Sequence, residues 1–128
     1  MELELKRLEP VLITIDGKEY PARMPNRAIK ELAEMWGVKY FELFDKLASG
    51  SFELDEVFDV LYVTLKAGGV KVEREMFEDM DHDAFFIASV TSQIIELFDR
   101  TQKVENVLED TKPEGGGEKK PKAAKKPQ

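Results

Sequence analysis

The chain has 128 residues, enough for one domain with one core, and 42% of them are hydrophobic, as in an ordinary globular protein. Lys and Arg number 19 against 26 Asp and Glu, and the net charge of −7 speaks against nucleic acid as the main partner, because phosphate binding needs a basic footprint. The lack of cysteine excludes disulfides and thiolate metal sites, and no apolar run is long enough to span a bilayer. The N-terminus, MELELKRLEP, is acidic and broken, unlike a signal peptide.

Residues 11–24 carry a hairpin signal. Val11 to Ile15, then Asp16-Gly17, then Lys18 to Met24 suit two strands joined by a two-residue type I′ turn. That register pairs Ile15 with Lys18, Ile13 with Tyr20 and Val11 with Ala22. It places Val11, Ile13, Tyr20 and Ala22 on one face that needs a cover. Pro21 falls opposite Leu12, a non-hydrogen-bonded position, where it discourages a further strand. Leu3 and Leu5 alternate and are expected to extend the sheet.

Helices follow. Pro25 suits a first turn, Ile29, Leu32, Ala33 and Trp36 form a stripe, and Gly37 ends it. A second helix is expected from about Lys39 to Ala48, with Gly50 as its stop. Ser51 is the expected cap of a third, whose stripe is Leu54, Val57, Phe58, Leu61, Tyr62 and Leu65. Val60, Val63 and Ala67 lie off that stripe. A helix apolar around so much of its girth is either central in its own domain or meant for a partner. Gly68-Gly69 stops it. A short acidic helix is expected over about Glu73 to Met80. A long one follows, capped by Asp81 or Asp83, with Phe86, Ile87, Val90, Ile94, Leu97 and Phe98 in its stripe. If it runs to Glu109 it measures about 40 Å at 1.5 Å per residue. The expected fold is therefore α+β and mostly α: an N-terminal β-hairpin, then a bundle of about five helices.

Residues 111–128, TKPEGGGEKKPKAAKKPQ, hold six lysines and two glutamates, a net of +4, which leaves −11 for residues 1–110. With no large apolar residue the segment cannot offset its ordering entropy. A disordered C-terminal tail after an acidic domain of residues 1–110 is expected.

The residues that could carry chemistry are few. Asp45 to Glu56, DKLASGSFELDE, has Asp, Ser, Gly and Glu at four of the positions an EF-hand needs, but Leu47 stands where an oxygen ligand belongs. Helix, glycine stop and helix explains the same letters. A degenerate EF-hand-like, calcium-responsive module is kept as the alternative. His82 is the only histidine, with no Cys or second His to share a metal. No phosphate-binding glycine loop and no catalytic motif is present. No enzyme activity, cofactor or metal site is therefore expected. The aromatics are more informative, since aromatic side chains dominate interfaces. Trp36, Tyr40, Phe41, Phe44, Phe58, Tyr62, Phe85 and Phe86 are the candidate partner-binding residues.

The order ITIDGKEYPARMP, a helix ending EMWG, VKYFELFDKLASGSFELDEVFDVLYVTLKAGG, the acidic VEREMFEDM and a last amphipathic helix resembles the phage tail assembly chaperones of long-tailed phages. The resemblance covers about residues 11–100, and the basic tail also fits. It implies a non-enzymatic protein that binds and solubilises the tape measure protein and helps recruit tail-tube subunits. Copies of itself are a further candidate partner, whereas nucleic acid and membrane are not. It also implies a place in the host-cell cytoplasm and absence from the mature virion. Members of that family often have a longer frameshifted product; the lysine pairs Lys119-Lys120 and Lys125-Lys126 are explained equally well as ordinary tail residues.

Overall fold

The computed structural model describes residues 1–5 and 7–110, with residues 102–110 as backbone only. The expected tail, residues 111–128, lies outside the described residues. In chain order the elements are β1 (Val11–Ile15), β2 (Lys18–Ala22), α1 (Asn26–Trp36), α2 (Tyr40–Ser49), α3 (Leu54–Ala67), α4 (Arg74–Asp79) and α5 (Ala84–Asp110). Among the described residues the fold is α+β and mostly α, a two-stranded antiparallel hairpin followed by five helices, as the sequence leads one to expect.

The hairpin register is the expected one: Val11 opposite Ala22, Leu12 opposite Pro21, Ile13 opposite Tyr20 and Ile15 opposite Lys18. Asp16 and Gly17 both take positive φ, 52° and 79°, as a type I′ turn requires. Ile13 and Ala22 are fully buried, because β1 packs against α5 and β2 against α3. The Arg23 N–H donates to the Thr64 carbonyl at 3.0 Å, which fastens the end of β2 to α3. At the same seam Gly68 lies so close to the Pro21 carbonyl that a Cβ there would strike backbone.

The expected extension of the sheet by Leu3 and Leu5 is not found. Both side chains are exposed and the sheet has two strands. The outward edge of β1 is already occupied. Gln93 of α5 accepts a hydrogen bond from the Thr14 N–H at 2.8 Å and donates to the Thr14 carbonyl at 3.3 Å, so the groups a third strand would need at that point are taken.

The question raised by the third helix is settled by its position. α3 packs against α1, α4, α5 and β2. Val57, Phe58, Val60, Leu61, Val63, Thr64 and Leu65 are all buried, so its apolar girth serves its own domain. Thr64 is tolerated there because its hydroxyl donates to the Val60 carbonyl at 2.7 Å.

Two helix starts refine the expected ones. α3 begins at Leu54 with Glu53, not Ser51, as its N-cap, and the Glu56 carboxylate accepts the Glu53 N–H at 2.8 Å. Ser51 instead serves the preceding turn, where its N–H donates to Ser49 Oγ at 3.2 Å. At α5, Asp83 is the cap: its Oδ1 accepts from the N–H groups of Phe85 and Phe86 at 3.0 and 3.3 Å.

Candidate functional site

The eight candidate aromatics do not form one surface. Phe58 and Phe86 belong to the core, which corrects their assignment to a partner-facing surface. Phe58 stacks on Phe77 of α4 with ring centroids 5.9 Å apart, and the Arg74 guanidinium lies 5.4 Å from its ring. Phe86 sits one position past Phe85 on α5, and that 100° step carries it from solvent into the interior.

Trp36 and Tyr62 are half-buried and committed to structural contacts. The Trp36 Nε1–H donates to Asp59 Oδ2 at 2.7 Å, and Asp59 Oδ1 accepts from Arg74 Nε at 2.7 Å. Arg74 also donates to Glu78 at 2.8 Å. One carboxylate thus joins α1, α3 and α4. Burial acts to lower the Arg74 pKa, but the hydrogen bond and charge of Asp59, with those of Glu78, outweigh it and raise it. Tyr62 lies under Lys66, whose Nζ is 4.5 Å from the ring centroid and also donates to Glu31 at 2.8 Å.

Tyr40, Phe41 and Phe44 do converge. They stand on α2, with Tyr40 and Phe41 edge-to-face at 5.1 Å and Tyr40 and Phe44 at 6.1 Å. Phe44 is half-buried and rests edge-on against Phe98 of α5 at 5.1 Å, so the ridge is rooted in the core. Above that root Tyr40 is 52% exposed and Phe41 76% exposed. The helix beneath them is well anchored: Leu43 and Leu47 are fully buried, and the Glu42 carboxylate accepts the Lys39 N–H at 2.9 Å. Two adjacent, rigidly mounted aromatic rings in water are the arrangement expected of a protein-binding surface.

Phe85 is 88% exposed but lies apart from this ridge. It is 13 residues before Phe98 on α5, about 20 Å along the helix. Nearer to it, Leu54 and His82 border a small groove of about 170 Å³ between α3, α4 and α5.

The segment Asp45 to Glu56 is occupied structurally. Leu47 is fully buried, and Glu56 holds both the Glu53 N–H and Lys46 Nζ, the latter at 2.9 Å. Among the described residues no group of three or more Asp, Glu, His or Cys side chains is placed to hold a metal ion, and no helix is long and apolar enough to cross a membrane.

Residues 10–103, which span the hairpin, all five helix starts and the aromatic ridge, match the model of a family described as phage tail tube protein, GTA-gp10. The chain belongs to this family. It is a phage tail protein, with a role in tail assembly or tail structure. No curated protein and no solved structure matches it. One surface of this tail protein was not anticipated from sequence: Arg7, Arg23 and Arg100 line a groove of about 400 Å³ beside the start of α1. Residues so far apart in the chain leave no local signal.

Proposed function

We propose that this tail protein is a tail assembly chaperone, which binds and solubilises the tape measure protein and helps recruit tail-tube subunits to it. The observation that carries the reading is the rooted ridge of Tyr40 and Phe41, two adjacent rings open to solvent above a buried contact with Phe98. A long helical target that exposes apolar stripes would aggregate unless covered, and an aromatic ridge can cover one such segment. Many copies on one target allow each contact to be weak, so that tube subunits can displace them. The charge of −11 on residues 1–110 keeps a coated complex apart from its neighbours. On this reading the protein performs no reaction, acts in the host-cell cytoplasm and leaves before the virion matures.

Co-expression tests the proposal: the tape measure protein should move from the insoluble to the soluble fraction in the presence of this chain and remain insoluble with a Phe41→Asp variant. No rescue by the unmodified chain, with both proteins well expressed, refutes it. The family's description favours a second reading, a structural subunit of the tail tube. Purified mature tails separate the two, because a tube subunit is retained in them in many copies and a chaperone is absent.

A further inference from the structure

The arginine groove has features that folding alone does not explain. Arg7, Arg23 and Arg100 line it, and among the described residues Glu9 is the one carboxylate on its wall. Arg27 adds to the same positive field: burial first, then the charges of Arg7 and Arg27, lower the Arg23 pKa from its ordinary value. Lys46, Lys66 and Arg74 are paired with carboxylates, whereas no ion pair among the described residues involves these four arginines. Arg23 Nη1 is enclosed and has no hydrogen-bond partner. A guanidinium N–H left in that state costs free energy unless something arrives to accept from it.

The surroundings add to the same demand. Pro25 and Asn26 at the start of α1 form part of the wall, and α1 has neither a side-chain cap nor an acidic residue in its first turn. The positive end of that helix is therefore unopposed. Leu8, Val11 and Met24 supply apolar surface beside the charges. We propose that this groove binds a short acidic segment of a partner protein, with a carboxylate seated among Arg7, Arg23 and Arg100 and an adjacent apolar side chain against Leu8 and Met24.

A protein segment fits better than a nucleic acid. The groove accommodates only a few residues, and a longer polyanion leaving it would run over a body of net charge −11. Bare phosphate would satisfy the guanidiniums but has no use for the apolar wall. The inference needs only the groove and does not rest on the chaperone reading.

The test is a titration followed by amide chemical shifts, using the full chain and four probes: an acetylated Leu-Glu-Asp-Leu amide, its Leu-Gln-Asn-Leu counterpart, inorganic phosphate and a single-stranded oligonucleotide. The acidic peptide should produce saturable shifts confined to the groove segments 7–11, 23–26 and 97–101, and the exposed Arg100→Gln substitution should weaken it by about tenfold, the loss of a charged hydrogen bond. Arg23→Met should abolish the shifts while leaving the melting temperature equal or higher, because it removes the enclosed, unpartnered Nη1 and keeps the bulk. The proposal is overturned if the neutral peptide binds as well, if phosphate or the oligonucleotide saturates at lower concentration, if no probe shifts the groove, or if Arg23→Met melts well below the parent.

Discussion

Phe41 and Phe58 are the same residue type on successive helices, and their substitution should separate partner binding from folding. Phe41 is 76% exposed, so about a quarter of its surface is buried. For an aromatic that buries roughly 200 Å² when enclosed, the remainder is about 50 Å², worth about 1 kcal/mol at ~25 cal/mol/Å². Phe41→Asp loses at most that, and an acidic side chain in the first turn of α2 recovers part of it through the helix dipole. Phe58 is only 7% exposed and stacks on Phe77, so Phe58→Ala should cost about 3–5 kcal/mol. In a domain of roughly this size 1 kcal/mol shifts the midpoint by about 4–8 °C. Thermal melts followed by circular dichroism should therefore show Phe41→Asp within a few degrees of the parent and Phe58→Ala far below it or unfolded. The binding assay should invert that order of harm: Phe41→Asp folds but loses about 2 kcal/mol of affinity for its target, some thirtyfold. A Phe41→Asp variant that melts as low as Phe58→Ala, or that solubilises the tape measure protein undiminished, refutes the division into ridge and core.

Three other outcomes follow from the packing. Asp59→Ala leaves both the Trp36 Nε1–H and the Arg74 guanidinium without their shared acceptor and should cost about 2–3 kcal/mol in chemical denaturation, whereas Asp59→Asn, which keeps an acceptor, should cost less. Gly68→Ala forces a Cβ against the Pro21 carbonyl and should destabilise by about 1–3 kcal/mol, with early loss of hydrogen-exchange protection at the Arg23 amide. Millimolar calcium should leave the melting temperature unchanged, since Leu47 is buried and Glu56 is already engaged; a rise of several degrees would restore the calcium-responsive alternative.

What was legible in the sequence was local. Asp16-Gly17 between alternating apolar residues specifies its turn, and the turn specifies the register, so every pair of the hairpin could be written down in advance. The girth of α3 was equally plain, although only the fold shows that its own neighbours cover it. Facing direction was not legible. Phe85 and Phe86 are identical neighbours, and their opposite fates depend on where α5 packs against α3. The sheet edge escaped notice because its blocker, Gln93, lies 79 residues from Thr14. The arginine groove escaped for the same reason, and more deeply: summing charge over residues 1–110 gives an acidic body and averages away a basic site assembled from positions 7, 23 and 100.

The aromatic ridge and the arginine groove share one helix. Leu97 of α5 faces the arginine groove, and Phe98, the next residue, supports the aromatic ridge. Successive helical positions differ by 100°, so the surfaces diverge around α5 and do not merge into one flat face. A straight helical target lying on Tyr40 and Phe41 therefore does not reach into the groove at the same time without bending. The groove is suited instead to a second, short and acidic segment, from the same target or from another protein, and binding there would add to the ridge by linkage and not by enlarging a single contact. The basic groove lies about midway along α5, at Leu97 to Thr101, whereas the groove beside the acidic helix α4 lies at the start of α5, at Asp83 to Ile87.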